Sequence, residues 1–526
     1  RTRMDNLPKP PLHPSKSNYG STSGSTSPGA ASIYNPLLKV TQARDTFVTP
    51  TKIPPVSNSK MNHSKRLALN LVLLLGSANV VPWSAYISVS DYWNTTFPDK
   101  QLNFVFPVLN MSLLAVGTVL TTLGGRNIGS LRSRIQGTNL LITLLLLCVP
   151  LIIMPNAKSS WALPALYANL CLLSLLVSVN QSSCYGLAGV MGPEFIQALE
   201  RGKGWTGVAV VVLRGGIKYA GGASKLGGDK GIGEGESETS GTGTFFLSAS
   251  LIVFLATVGY GWLVSGELAR ARVDEYEGNL QVHEATPRNT PSNTPNTTPT
   301  TGRKKAKKKR LTHHGSATTA VELTRKVKNK IIVRIQVPLV TVFLVFTLCI
   351  SCFPGVATAL HSDTWNIGSW FPLAMVAAYN TADLVGKTLP SYMPLAWKGN
   401  RVWVTAIPLA FAAVLMVLEM LEDYGLFGSV GFPLLQSDTL KVLSSFLLGL
   451  FTGYSSTSCM MSAPGMVDRR YRDIATQLMA TSLIFGLLAG SLGGVAIKEA
   501  AGLGDVQVAE VPPYPIIHWS HGHDGH

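Results

Sequence analysis

The run TNLLITLLLLCVPLIIM, residues 138–154, decides the fold class. Residues 135–157 around it carry no charged side chain, and a helix of this length crosses the roughly 30 Å hydrocarbon core of a bilayer. Backbone groups find no water partners there, which leaves helices and closed barrels as the only spanning structures. The run lacks the strict alternation of barrel strands, so it predicts a transmembrane helix.

Comparable apolar blocks recur along the chain of 526 residues, of which 46% are hydrophobic and 14% charged. Soluble domains contain about 25% charged residues, so this composition is typical of a membrane protein. We predict an all-α polytopic fold with eleven transmembrane helices, near residues 66–91, 103–124, 134–155, 161–191, 204–222, 244–265, 331–357, 369–394, 400–422, 440–464 and 473–498.

Two long polar stretches lie outside the predicted spans. Residues 1–65 are rich in Ser, Thr, Pro and Gly and are predicted to form a disordered cytoplasmic arm. Residues 266–330 hold Thr-Pro pairs and the basic run RKKAKKKR, and are predicted to be a disordered cytoplasmic loop. A long central loop is typical of the joint between two helix bundles. The predicted organisation is a six-helix bundle at 66–265, a five-helix bundle at 331–500 and an extracytoplasmic tail at 501–526.

The formal net charge of +16 comes mainly from connectors that share one side of the membrane if the N-terminus is cytoplasmic. Positive-inside bias therefore predicts a cytoplasmic N-terminus and an extracytoplasmic C-terminus. The same bias explains the basic balance without a nucleic-acid partner, for which no recognition motif is found. Among the Asn-x-Ser/Thr sequons, only Asn94 falls in a predicted outer loop, which makes it the candidate glycosylation site.

All six cysteines lie in predicted spans, and the CxxC motif of Cys349 and Cys352 occurs in an apolar helix rather than beside a βαβ unit. Packing by small apolar side chains is therefore favoured over a redox or metal role. The four histidines after residue 517 are treated as an incidental cluster. We expect a non-enzymatic protein with no cofactor and no bound metal.

Seven segments stand out from the apolar spans: PWSAYISVSDYW (82–93), NQSSCYGLAGVMGP (180–193), RGKGWTG (201–207), CISCFPGVAT (349–358), YNTADLVGKTLP (379–390), GYSSTSCMMSAP (453–464) and DIATQLMA (473–480). In this order and spacing they resemble the equilibrative nucleoside transporter family, including its plant and protozoan members, over residues 66–500. The resemblance implies a major-facilitator-like fold of six plus five helices. It also implies a uniporter that moves nucleosides such as adenosine and uridine, and sometimes nucleobases, down their gradients. We expect a monomer in the plasma membrane, with the lipid bilayer as its other partner.

Asn380, Asp383 and Lys387 share one face of the eighth span, where an acid is costly unless it faces a protein interior or a watery cavity. Two readings stay open: the acid and the lysine neutralise each other, or they bind substrate. By resemblance, Asp383 and Lys387 stand where the family has an Asp and an Arg that contact the ribose. A lysine lacks the bidentate fork of arginine, which puts the ribose geometry in doubt.

Three further residues are candidates for substrate contact. By resemblance, Gln181 matches the residue that contacts the nucleobase; its amide both donates and accepts, but a helix–helix hydrogen bond is the alternative. Trp83 offers an apolar face for the base, or anchors the helix at the membrane interface. Phe353 lines the cavity or simply packs.

Arg134 and Asp473 stand at predicted cytoplasmic ends of two spans, where the resemblance implies an inner gate between the bundles. A positive-inside anchor is the alternative for Arg134. The rival functions are a proton-coupled nucleoside carrier, an organic-cation carrier on the same fold and a non-transporting organellar membrane regulator. An additional cavity acid on the fifth span would favour the cation carrier, whereas Arg214 and Lys218 make that span basic.

Overall fold

The structure is a computed structural model that describes residues 58–89, 92–93, 96–97, 102–124, 129–226, 234–267, 269–274, 316–365, 367, 370–393, 399–425 and 432–500. The candidate glycosylation site Asn94 lies outside these residues. So do the tail at 501–526 and nearly all of the predicted N-terminal arm. The elements described lie in the unit that begins at Asn58.

Within the described residues, one long helical segment occupies the position of each predicted span. They are α1 (Asn58–Ser88), α2 (Leu102–Gly124), α3 (Thr138–Cys148), α4 (Ala162–Met191), α5 (Pro193–Leu226), α6 (Glu234–Ser265), α7 (Ser316–Cys352), α8 (Phe371–Thr388), α9 (Ile407–Asp423), α10 (Asp438–Ser462) and α11 (Arg472–Ala500). Short π-helical and 3-10 turns extend α3 at both ends, from Ser133 to Asn156, and a 3-10 turn at Gly399–Ala406 precedes α9. The predicted all-α polytopic fold is confirmed.

Several helices begin earlier than predicted. α7 begins at Ser316 and residues 269–274 are helical, so parts of the predicted disordered loop at 266–330 are helical at both of its ends. α1 begins at Asn58, inside the predicted disordered arm at 1–65. α5 begins at Pro193 rather than at residue 204, and only Gly192, at φ 126°, separates it from α4. A backbone in that left-handed region favours glycine, which explains how two long helices meet with no loop between them.

Eight of the described helices are long and apolar enough to cross a membrane: α1, α2, α3, α4, α6, α7, α9 and α11. The other three, α5, α8 and α10, are more polar, and their polar side chains are largely buried in the protein. A polar residue in a membrane protein is tolerated where it faces other helices instead of lipid. For these three helices, membrane crossing stays a prediction from their position in the series.

The first six helices pack mainly among themselves, through α1 with α5 and α6, α2 with α4, and α3 with α6. The last five pack through α7 with α11, α8 with α10, and α9 with α10. Contacts between the two groups run through α5 with α8 and through α11 with α2 and α4. Glycines allow the closest approaches: a Cβ on Gly386 of α8 would lie 2.2 Å from the Leu450 carbonyl oxygen of α10.

The two ends of the helix assembly differ in charge. One end, called here the basic end, holds Lys65, Arg134, Lys328 and the start of α11; there Lys328 Nζ donates to the Thr122 carbonyl at 3.1 Å. At the other end, the acidic end, the fully buried Lys441 Nζ lies 2.6 Å from Asp423 and 2.7 Å from Asp363.

Candidate functional site

The centre of the candidate site is an ion pair within α8. Lys387 Nζ donates to Asp383 Oδ2 at 2.5 Å, and both side chains are about nine-tenths buried. The two residues thus form an ion pair, which is one of the two readings that their spacing left open. Among the described residues, Asp383 Oδ1 is buried and has no hydrogen-bond partner. The pair therefore leaves one carboxylate oxygen able to accept a hydrogen bond from a ligand.

Asn380 lies one turn before Asp383 and faces α5. A Cβ added to Gly207 would lie 2.4 Å from Asn380 Oδ1, so glycine is required for this approach of α5 and α8. The neighbouring Tyr379 ring stacks on Phe353, with centroids 3.7 Å apart and planes 13° apart. Asn380, Asp383 and Lys387 thus lie on α8, and Phe353 contacts the same helix through the ring of Tyr379.

Gln181 lies on α4 and is 5% exposed. Among the described residues it has no hydrogen-bond partner, whereas the adjacent Asn180 donates to Asn79 and Asn139 at 3.0 and 2.8 Å. The helix–helix hydrogen bonds of this region are therefore made by Asn180 and not by Gln181. The Gln181 amide is therefore free of a helix–helix hydrogen bond and can donate to and accept from a ligand, which favours a ligand-binding role for this residue. Trp83, on α1, is half-buried and packs against the apolar core.

Two charged side chains of α5 were missed by the sequence analysis. Glu200 is 1% exposed; its Oε1 accepts a hydrogen bond from the Tyr185 hydroxyl, which in turn accepts one from Lys203. Lys203 Nζ lies 3.6 Å from Glu200 Oε1. The predicted fifth span begins at residue 204, which left Lys203 in the connector before it. That prediction is wrong, because Lys203 lies inside α5, and the Glu-x-x-Lys spacing was the signal that could have found the pair.

Glu200 is the additional acid on the fifth span that would favour an organic-cation carrier. It does not give the site a net negative charge, because Lys203 lies beside it and Lys387 compensates Asp383. The four charges sum to zero. A neutral cluster does not concentrate cations, so the balance is suited to a neutral ligand rich in hydrogen-bonding groups.

The candidate gate residues Arg134 and Asp473 are both buried, at 3% and 1% exposure. Burial argues against a surface anchor for Arg134, which lies in the turn Ser133–Gly137. Asp473 lies in the first turn of α11, which packs closely on α4: a Cβ on Gly189 would lie 2.3 Å from Thr476 Oγ1. Direct pairing of Arg134 with Asp473 stays a prediction.

All six cysteines have free thiols, including Cys349 and Cys352 of the CxxC motif. The Cys349 thiol lies 2.9 Å from the Tyr379 hydroxyl, and the Cys352 thiol donates to the Ala413 carbonyl at 3.6 Å. The described residues contain no group of three His, Cys, Asp or Glu side chains that could hold a metal ion.

The sequence model of the nucleoside transporter family matches residues 167–499. Equilibrative nucleotide transporter 1 of Arabidopsis thaliana is 25% identical over 441 residues, covering 82% of this chain and 85% of that protein. Equilibrative nucleotide transporter 8 of the same plant is 23% identical, covering 82% and 94%. Human equilibrative nucleoside transporter 4 is 30% identical over a shorter stretch, covering 28% and 25%.

Among solved structures, the proton:xylose symporter XylE has 12% sequence identity and a TM-score of 0.49, covering 85% of this chain and 90% of that one. The transporter FucP in its outward conformation has 12% identity and a TM-score of 0.45, covering 83% and 91%. Because the family model extends over more than half of the sequence, the chain belongs to the nucleoside transporter family and is a facilitative membrane transporter.

Proposed function

We propose that this transporter carries nucleosides, by alternating access, through a site lined by α4, α5 and α8. The observation that carries the proposal is the buried Asp383–Lys387 pair with its uncommitted Oδ1 oxygen. A nucleoside is neutral but rich in donors, and a carboxylate oxygen accepts hydrogen bonds from ribose hydroxyls more strongly than a neutral acceptor does. The family and the names of the relatives agree with this substrate class.

The base is proposed to lie against Gln181, with Trp83 and Phe353 as apolar walls. The Gln181 amide can donate to and accept from either a purine or a pyrimidine edge. Gln181→Leu is therefore expected to change the ratio of adenosine to uridine uptake, whereas Ser183→Ala, which alters only a bond within α4, leaves the ratio unchanged. Equal loss for both nucleosides would make Gln181 a structural residue.

The moving parts are proposed to be the two predicted bundles, 66–265 and 331–500. Arg134 and Asp473 are proposed to close the basic end between them. In support, contacts between the first six and last five helices gather at that end: Thr122 and Thr481 share a hydrogen bond of 3.0 Å, and Gln197 of α5 reaches the end of α8.

The basic end is proposed to face the cytoplasm, because Lys and Arg accumulate on the cytoplasmic side of membrane proteins. The acidic end then lies outside, together with Asn94 as a glycosylation site. We place the protein in the plasma membrane as a monomer that requires neither a cofactor nor a proton gradient.

The test is uptake of labelled adenosine and uridine into liposomes that contain the purified protein. The proposal predicts saturable uptake of both, to the same final level with and without an imposed proton gradient. Empty liposomes give the background. Accumulation above equilibrium only when a proton gradient is present would contradict facilitative transport, and absence of uptake of both labels by folded protein would contradict the substrate class.

A further inference from the structure

α5 carries two buried charges that the proposed substrate contacts do not use. Glu200 and Lys203 lie one turn apart, and the Tyr185 hydroxyl of α4 donates to Glu200 and accepts from Lys203. We call Glu200 and Lys203 the α5 charge set. Burying charged groups costs free energy even when they are paired, so their presence in a helix interface calls for an explanation.

The α5 charge set faces the end of α8 that carries Lys387. Gln197, one turn before Glu200, donates to the carbonyl oxygens of Lys387 and Thr388, both at 3.1 Å. A Cβ on Gly204, next to Lys203, would lie 3.3 Å from Lys387 Cδ. Lys387 is thus within electrostatic range of both charges on α5, attracted by Glu200 and repelled by Lys203.

Each helix carries its own counterion. Glu200 and Lys203 are both on α5, and Asp383 and Lys387 are both on α8, so each pair is neutral by itself. When α5 and α8 separate, each charge therefore keeps its partner on the same helix. An ion pair between the two helices would instead break and leave two unpaired charges. The arrangement permits the interface to open and close without a large electrostatic barrier.

We propose that Glu200 and Lys203 are positioning residues whose mutual charge balance sets how far α5 and α8 separate at the basic end. Excess positive charge on α5 repels Lys387 and favours the open state, whereas excess negative charge attracts Lys387 and favours the closed state. The proposal rests on the proposed function only in requiring that α5 and α8 part during the cycle.

The experiment measures the distance between α5 and α8 by pulsed electron paramagnetic resonance on the full-length protein in nanodiscs. Spin labels are placed on the exposed Glu194→Cys and Ser391→Cys, at the facing ends of the two helices. The more accessible native cysteines, Cys148 and Cys171, are replaced by serine. No substrate is added, so the result does not depend on which compound the protein carries.

Glu200→Gln is expected to raise the population with the longer distance about fivefold, and Lys203→Gln to lower it about fivefold, the scale on which contacting charges couple. The double variant Glu200→Gln/Lys203→Gln removes both charges and is expected to return to the parent distribution, as is the charge-conserving Lys203→Arg.

A purely structural role predicts that both single variants loosen the interface. Shifts in the same direction, unchanged distances, or a double variant that fails to return towards the parent would overturn the proposal. If one single variant does not fold, the other single variant and the double variant still show in which direction excess charge on α5 changes the distance between α5 and α8.

Discussion

Asn380 Oδ1 occupies the space that a side chain on Gly207 would require, with only 2.4 Å between that oxygen and a Cβ placed on the glycine. This contact fixes the closest approach of α5 to α8 at the level of the candidate site. Gly207→Ala is expected to push Asn380 away from α5 and to reduce nucleoside uptake at least about tenfold, since displacements near 1 Å cost about 100-fold at precisely assembled sites.

The matched control for this change is Gly216→Ala on the same helix, where an added Cβ meets nothing within 4 Å. The control is expected to keep full uptake and to stabilise α5 slightly, because alanine is the better helix former. Uptake by Gly207→Ala equal to that of the control, at equal amounts in the membrane, would show that the Asn380 contact is dispensable.

The buried Lys441 at the acidic end joins three elements: it lies 2.6 Å from Asp423 and 2.7 Å from Asp363, and donates to the His361 carbonyl at 2.9 Å. Lys441→Met leaves the buried Asp423 without its cation, and loss of one partner of a buried pair costs about 3–5 kcal/mol. We expect a large fall in the melting temperature of the purified protein. Lys65→Met, which breaks an exposed pair with Glu194, is expected to cost at most about 1 kcal/mol. Equal melting temperatures for the two variants would refute the role of Lys441.

The carboxylate of Asp438, which precedes the predicted tenth span, accepts hydrogen bonds from the segment before α8. Burial tends to raise the pKa of this carboxyl, but hydrogen bonds from Ser362 and from the amides of Trp365, Asp363 and Thr364 hold the pKa below its ordinary value. A lowered pKa means that the folded state binds this proton less readily than the unfolded state. The stabilisation is therefore present above about pH 4 and is lost as the pH falls from there towards the folded pKa.

Melting temperatures of the wild type and of Asp438→Asn, measured from pH 7 down to pH 3.5, test this linkage. The wild type is expected to be the more stable at pH 7, and the difference is expected to shrink as the pH drops below about 4. A difference that stays constant over the whole range would show that the charge of Asp438 does not stabilise the fold.

Arg134 and Asp473 are expected to close the basic end as a pair. Single neutralisation of either residue should slow uptake, and the swap Arg134→Asp with Asp473→Arg should recover part of it, because the pair then forms with reversed polarity. A double-mutant cycle on uptake gives the coupling between them. Additive effects, with no coupling beyond about 0.3–0.5 kcal/mol, would show that the two charges do not meet.

Much of the fold could be predicted from periodicity and charge. The series of spans located the eleven long helices of the described residues, and the ion pair of Asp383 and Lys387 is one of the two readings that their spacing left open, because residues four apart lie on one face of a helix. Glu200 and Lys203 were missed because the predicted fifth span begins at residue 204, which leaves both residues outside it. The contacts of Lys441 with Asp363 and Asp423 depend on how segments far apart in the sequence pack, and no local pattern in the sequence encodes them.

Nucleoside uptake by Asp383→Asn in liposomes, at a known amount of folded protein, decides whether the carboxylate of Asp383 binds the substrate. Asparagine keeps the shape of the side chain but removes its negative charge. That charge pairs with Lys387 and strengthens a hydrogen bond from a ribose hydroxyl. The control is Thr381→Ala, an exposed position on the same helix. Asp383→Asn is expected to lose uptake of adenosine and uridine at least about 100-fold, consistent with roughly 3 kcal/mol for a lost charged partner, while Thr381→Ala retains it. Wild-type uptake by correctly folded Asp383→Asn would show that the carboxylate does not bind the substrate.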